Sequence, residues 1–301
     1  VCVVDIDGNI LFKIGNFNKA IFLLRSVQKL FQAIPVIKSG AFEKFHLELK
    51  HLAICCGSHA GSNEHVKTVS EILQKANIEE HNLQCGIHKP LDEETRNSLL
   101  KNNILPSSLN NNCSGKHAGM LISCKANNWD LADYLDINHP LQKQITDLIK
   151  DLSEFKEDLT YALDGCDSPV VGLPLLNIGT GYLKLFSTHE GQLLLKACIE
   201  NQYFFGGKNR FDSEVIEITS GKLFAKVGAE GLCVVINNNI KQALVVKIED
   251  GNNFARAIVC IEVLKKLNWI DTSEYKVFNS TYPLTVNTLN GKIAGEIIPL
   301  F

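Results

Sequence analysis

The chain has 301 residues, of which 45% are hydrophobic and 21% charged, and its formal net charge is -3. This composition is typical of a soluble globular protein that can bury its own core. The charge is nearly balanced and has no long run of either sign, which argues against nucleic acid or an anionic membrane as partner. No apolar stretch approaches the roughly 18 residues of a membrane helix, and the first residues do not resemble a signal peptide. We therefore expect a cytoplasmic protein with no membrane partner.

The first half of the chain predicts a β-hairpin followed by many helices. Residues 1–7 and 10–14 alternate apolar and polar side chains around Gly8-Asn9, which is typical of a hairpin. Helical spacing of apolar residues runs over 26–38 and contains Pro35, where we expect a kink or an early end. We interpret His51–Cys56 as a short buried strand or extended segment. Further helices are predicted over 62–76, 92–101, 114–127, 140–152, 173–185 and 191–202.

The last third predicts strands over 222–226, 231–236 and 243–249, then a helix over 253–267. If the first and last strands share one antiparallel sheet, the middle of the chain is a helical insertion on the same core. The expected fold class is therefore α+β, in one domain over 1–301 with about 40–210 as the insertion.

A Ser-x-x-Lys pattern, Ser26 to Lys29, is the first candidate for chemistry. Residues three apart share a helix face, so the amine of Lys29 is expected to reach the Ser26 hydroxyl. A desolvated lysine with a lowered pKa can serve as the base that a serine nucleophile needs. The alternative is an ordinary N-cap serine followed by a solvated lysine, because this pattern is common by chance.

Small residues surround Ser58 in the segment Cys55-Cys56-Gly57-Ser58-His59-Ala60-Gly61. Glycine turns after an apolar run are places where backbone approaches a ligand. The alternative is a plain connection, in which His59 is only a turn residue. His59 and His65 as metal ligands are less favoured than that turn.

Reactive groups also cluster in the segment Asn110 to Gly119, where Cys113 and Lys116 are three residues apart. A helix N-terminus and a nearby lysine both lower the pKa of a thiol. The alternative is an Asn-rich cap before a closely packed helix. Cys166, in the turn after Asp164, offers another thiol, and ten cysteines without an export signal predict reduced thiols rather than disulfides.

Taken in order, these blocks resemble the serine-dependent asparaginase II family, the thermolabile rhizobial type. The resemblance runs from the first residue to about Ala257. The matching stretches are Arg25-Ser26-x-x-Lys29-x-Phe31-Gln32, Cys55-x-Gly57-Ser58-His59-x-Gly61, Asn111 to Leu121, Asp164-Gly165-Cys166 with Pro169, Lys226-x-Gly228-Ala229-Glu230-Gly231, and Lys247-Ile248-Glu249-Asp250-Gly251.

The resemblance implies a fold like that of serine β-lactamases and glutaminases, and hydrolysis of L-asparagine to L-aspartate and ammonia. By motif it implies two catalytic pairs, Ser26 with Lys29 and Ser58 with Lys226. It further implies a homodimer and a zinc site.

The zinc ligands implied by the resemblance are Cys113, Lys116 and Cys166, with the metal tuning the site rather than attacking the substrate. Lysine is an unusual zinc ligand, and chemistry alone also points to His117 or Asp164. Arg25 and Asp164 are candidates for holding the α-carboxylate or α-amine of the substrate.

Several positions depart from the family's pattern: Leu30 stands for proline, Ala60 for serine, Ser62 for glutamate, and Asp167-Ser168 for a pair of small residues. Near the site, these changes bear on substrate preference, and glutamine or another small amide is the alternative substrate. A penicillin-binding enzyme or β-lactamase is disfavoured, because Lys226-Val227-Gly228 lacks the hydroxyl of K-T-G and no S-D-N occurs. A non-enzymatic metal- or amino-acid-binding protein is the alternative from another class, although both Ser/Lys pairs are intact.

Overall fold

A computed structural model describes residues 1–301. The strands are, in chain order, β1 (Cys2–Asp5), β2 (Ile10–Lys13), β3 (Phe22–Leu23), β4 (Thr160–Leu163), β5 (Pro169–Leu173), β6 (Leu223–Val227), β7 (Leu232–Asn237), β8 (Gln242–Lys247), β9 (Thr285–Asn287) and β10 (Ile293–Glu296). The helices are α1 (Lys29–Lys38), α2 (Ala41–Lys44), α3 (Leu49–Cys56), α4 (Asn63–Lys75), α5 (Glu93–Lys101), α6 (Ser114–Asn127), α7 (Pro140–Leu152), α8 (Leu175–Leu185), α9 (His189–Glu200), α10 (Gln202–Phe205), α11 (Phe211–Ile218), α12 (Asn253–Lys266) and α13 (Thr272–Thr281). The predicted α+β class is confirmed.

The main sheet joins the two ends of the strand pattern. Its order is β2-β1-β8-β7-β6, and every neighbouring pair is antiparallel. The predicted N-terminal hairpin is confirmed, with Gly8 at a φ of 84° in its turn. Two small antiparallel sheets, β3-β5-β4 and β10-β9, complete the strands.

Both faces of the main sheet are buried. Val4 and Val245 pack into a large core with α1, α3 and α8, whereas Val3 and Leu244 pack into a smaller core with α11, α12 and α13. Successive strand residues point to opposite faces, so a sheet covered on both sides needs nearly continuous apolar strands. The strand β6, which carries Lys226, is buried along its whole length.

Two predicted elements are corrected. His51–Cys56 is not a strand but most of α3, which begins with a capping box between Glu48 and His51. A short apolar run does not by periodicity alone distinguish a strand from a buried helix. The helix predicted over 173–185 begins at Leu175, because Pro169–Leu173 forms the central strand of the second sheet.

Other predicted helices are confirmed, those over 114–127 and 140–152 with the predicted bounds. The insertion predicted over about 40–210 stays a prediction, and that interval includes β4 and β5 besides its helices. None of the helices combines the length and apolar character that crossing a lipid bilayer requires.

Candidate active site

Lys29, at the start of α1, is buried and turns towards the end of α3. Its Nζ lies 2.7 Å from the carbonyl oxygen of Gly57, 3.1 Å from that of Asn112 and 2.9 Å from Ser58 Oγ. The structure therefore pairs Lys29 with Ser58 and not, as expected from the spacing, with Ser26. A buried amine needs acceptors, and the two carbonyls supply them across the gap between α1 and α3.

Lys226 approaches the same serine from the main sheet. Its Nζ lies 3.2 Å from Ser58 Oγ, 2.8 Å from the carbonyl oxygen of Val227 and 3.3 Å from Asp212 Oδ2. The predicted pairing of Ser58 with Lys226 is thus present in the geometry, and Ser58 lies between two lysine amines. Both Lys226 and Asp212 are fully buried.

The buried position of Lys226 makes its amine easier to deprotonate than that of an ordinary lysine. Burial lowers the pKa of Lys226 to about 8, although the carboxylate of Asp212 opposes this shift. Burial acts to raise the pKa of Asp212, but Lys226 and Arg210 outweigh it and hold that pKa below its usual value. Asp212 therefore stays ionised while Lys226 exchanges its proton near neutral pH.

Ser58 is held in place by a close backbone approach. A Cβ on Gly57 would lie 2.2 Å from the carbonyl oxygen of Phe205, so any other residue would push α10 away from the end of α3. His59 is also buried, with its Nε2 3.0 Å from Ser114 Oγ and its ring stacked on His65. His59 and His65 thus pack beside the Ser58 segment, and they do not belong to a set of side chains arranged to hold a metal.

Ser26 lies in the wall of a cleft of about 400 Å³. Ser26 is partly exposed and Ser58 almost fully buried, and both line the cleft. The preceding residue, Arg25, has a φ of 48°, an unfavourable value for a residue with a side chain. Backbone strain of this kind is concentrated at functional sites.

The other lining residues come from five further segments: Asn112, Asn209, Arg210, Phe211, Val227, Gly228, Ala229, Asn253, Phe254, Arg256 and Tyr282.

Arg25 and Asp164 pair with each other. Arg25 Nε lies 2.6 Å from Asp164 Oδ1, and the same guanidinium contacts Glu230. Neither Arg25 nor Asp164 lines the cleft. Their expected contact with the substrate stays a prediction, and in this structure they connect the Ser26 turn to the turn that carries Cys166.

Cys113, Lys116 and Cys166 lie together, as the resemblance implied. Lys116 Nζ lies 3.0 Å from Cys166 Sγ. A hydrogen bond from Cys166 is the largest of the effects that hold the pKa of Cys113 well below its usual value. This cluster is joined to the serines through Asn112, whose carbonyl accepts from Lys29.

These groups fit a zinc ion as two sulfurs and an amine. No set of three or more His, Cys, Asp or Glu side chains in the chain is arranged to hold a metal, so the third donor would have to be Lys116. His117 lies beside Cys166, and burial lowers its pKa to about 4. Its Nε2 is buried without a hydrogen-bond partner, but His117 does not form with Cys113 and Cys166 a set of three side chains arranged to hold a metal.

Sequence reasoning missed Asp212, Arg210 and Arg256. Asp212 stands in α11, which was not predicted, and it belongs to no motif. No local signal distinguishes it from Glu214 and Glu217 in the same helix; only the tertiary structure shows that it is buried beside Lys226.

A comparison with known protein families identifies the family of the chain. A model described as L-asparaginase II matches residues 1–299. The chain therefore belongs to the L-asparaginase II family, whose name denotes amidohydrolases. Among curated proteins, none matches the chain significantly.

Proposed function

We propose that the chain hydrolyses L-asparagine to L-aspartate and ammonia through an acyl-enzyme on Ser26. The observation that carries the proposal is the convergence of Lys29 and Lys226 on Ser58, beneath a cleft whose wall holds Ser26. This arrangement supplies a reachable hydroxyl, two buried amines at Ser58, and in Lys226 an amine whose pKa is lowered to about 8. Family membership supports asparagine as the substrate.

In the first step, the Ser26 oxygen attacks the side-chain amide carbon as its proton leaves through Ser58 to the amine of Lys29. Lys29 donates to the carbonyls of Gly57 and Asn112, and its Nζ lies 2.9 Å from Ser58 Oγ, within reach of the proton that it would take. That proton then passes to the departing ammonia. In the second step water attacks the acyl carbon and passes one proton to Lys226, the amine with the lowered pKa. That proton returns through Ser58 to the Ser26 oxygen as the ester bond breaks and L-aspartate leaves.

The backbone N–H of Ala229 is a candidate donor to the developing oxyanion. Ala229 lines the cleft beside Ser26, and its N–H is absent from the backbone hydrogen bonds of the loops. A preorganised donor of this kind is worth about 3–4 kcal/mol to the transition state.

If zinc binds, Cys113, Cys166 and Lys116 would hold it, the Lys116 amine giving up its proton to do so, and the metal would then supply the fixed positive charge beside the site. The remaining expectations are a homodimer and glutamine as a poorer substrate. Ammonia release from each amide, measured with zinc supplied, tests the function. Well-folded protein that releases ammonia from neither amide would exclude it.

Which serine attacks is tested by trapping, because loss of either serine is expected to stop turnover. An electrophilic asparagine analogue should leave its acyl group on the peptide that contains Ser26, as read by mass spectrometry. The same adduct should form in Ser58→Ala at reduced yield. An adduct on Ser58 would reverse the assignment while leaving the amidohydrolase function intact.

A further inference from the structure

The cleft that holds the serines is strongly biased towards anions. Its lining includes two arginines, Arg210 and Arg256, and no aspartate or glutamate. Arg210 is half buried in the turn before α11 and belongs to none of the ion pairs of the chain. Arg25, in contrast, is neutralised by Asp164 and Glu230 and lies outside the lining.

Arg256 has a buried donor with no acceptor. It lies on α12, is 8% exposed, and its guanidinium packs over the Phe211 ring. One end donates to Asn253 Oδ1 at 2.9 Å, while its Nε has no hydrogen-bond partner. Leaving a buried donor of a charged group unpaired is costly, so an acceptor from outside the chain would remove a real penalty.

The position of Arg210 follows from close packing against the Ser58 segment. A Cβ on Gly207 would lie 2.9 Å from that of Ala60, so the turn that leads to Arg210 rests against residues next to Ser58. Arg210 is also near enough to Lys226 to lower its pKa. Arg210 thus lines the same cleft as Ser58, and Lys226 contacts Ser58 without lining that cleft itself.

We propose that Arg210 and Arg256 bind the α-carboxylate of the substrate, and that the cleft selects small amides whose carboxylate lies a short distance from the scissile bond. The assignment rests on the proposed amide hydrolysis and deepens it. An arginine binds a carboxylate through paired N–H donors. The only carboxylate found to act on both arginines is that of Asp212, which is fully buried and outside the lining, so no acidic side chain in the cleft competes with an entering anion.

Three substrates separate the contributions: L-asparagine, succinamate, which lacks only the α-amine, and β-alaninamide, which lacks only the α-carboxylate. Arg210→Met should raise KM for asparagine and succinamate by about 10- to 100-fold, the value of hydrogen bonds to a charged group. Because Arg210 also lowers the pKa of Lys226, the variant is expected to slow turnover of all three substrates to some extent, so the test is the added rise in KM for the two carboxylates over that for β-alaninamide. Lys208→Met, which removes the same charge from an exposed neighbour, is the control and should change none of the three.

Arg256 is tested by Arg256→Lys, which keeps the charge and most of the packing on Phe211 while removing Nε. Thermal unfolding checks its fold, and KM for asparagine should rise while that for β-alaninamide stays constant. An equal loss on all three substrates in either variant would overturn the carboxylate site.

Binding of L-aspartate, followed by calorimetry, separates this inference from the proposed function. If the wild type hydrolyses no amide, the proposed function fails, yet weaker aspartate binding by Arg210→Met than by Lys208→Met still supports the site. Equal aspartate affinity in wild type and Arg210→Met overturns the inference even if asparagine is hydrolysed.

Discussion

Lys226 and Lys116 are both buried beside reactive side chains, but their surroundings act in opposite directions. Burial dominates at Lys226 and lowers its pKa to about 8, with Asp212 opposing it only in part. Burial also acts to lower the pKa of Lys116, but the sulfurs of Cys166 and Cys113 outweigh it and the pKa is raised. The serine region thus holds a lysine that exchanges its proton, and the cysteine region one that keeps its charge.

The difference shows that burial alone does not decide what a lysine does. A carboxylate at 3.3 Å from Lys226 only moderates desolvation, whereas sulfur at 3.0 Å from Lys116, with a second thiol close by, reverses it. We therefore expect the serine region to carry the chemistry and the cysteine region to supply a fixed charge or hold a metal.

The largest effect is expected at Lys226. Lys226→Met should lower kcat/KM for asparagine by about 10²- to 10⁴-fold, the usual contribution of a general acid or base. Lys116→Met should cost far less, because Lys116 touches neither serine. Ammonia release by the two variants, measured at equal pH, gives the comparison.

Lys226→Met leaves Asp212 buried without a counter-charge, which is expected to destabilise the fold. The double variant Lys226→Met with Asp212→Asn removes both charges and should recover thermal stability without recovering activity. Recovery of activity in the double variant would contradict a role for the Lys226 amine in proton transfer.

A smaller effect is expected from the cysteine region. Cys113→Ala should lose bound zinc and lower activity by about 10- to 100-fold, as changes around a metal site commonly do. Metal analysis of purified protein measures the first result. Cys124→Ala, in the same helix but outside the cluster, is the control, and equal zinc content in wild type and Cys113→Ala would contradict the metal site.

The motifs of the candidate site could be predicted from the sequence, but the hydrogen-bond partner of Lys29 could not. The segments around Ser26, Ser58, Cys113 and Lys226 are local motifs, and their convergence followed from family resemblance. The partner of Lys29 was missed, because the carbonyls of Gly57 and Asn112 that draw its amine away from Ser26 come from distant segments.

Some helices and strands could likewise be predicted from the sequence, and others could not. The helix Pro140–Leu152 was predicted with its bounds because it has a strong apolar stripe and an N-terminal proline. The short run His51–Cys56 was assigned to the wrong class, and Asp212 was overlooked because only tertiary contact with Lys226 reveals its role.

The smallest expected effect is the shift in the pH dependence of kcat/KM that follows from replacing Asp212. Wild-type kcat/KM should rise with pH through an apparent pKa of about 8 as Lys226 loses its proton. The carboxylate of Asp212 favours the charged form of Lys226, so Asp212→Asn should lower that pKa and move the limb to lower pH by about one unit. Asp133→Asn, the same change at an exposed site, should leave the profile in place.

Stability gives a second measure of the same titration. The pKa of Lys226 is lower in the folded chain than its ordinary value of 10.5, so the unfolded chain binds the proton more tightly. The free energy of unfolding should therefore gain a contribution from Lys226 as pH rises from about 8 towards 10.5. Lys226→Met should lack this gain. If the rise of kcat/KM with pH stays at the same pH in Asp212→Asn, that rise belongs to a group other than Lys226. The proposed difference in proton exchange between Lys226 and Lys116 would then be contradicted.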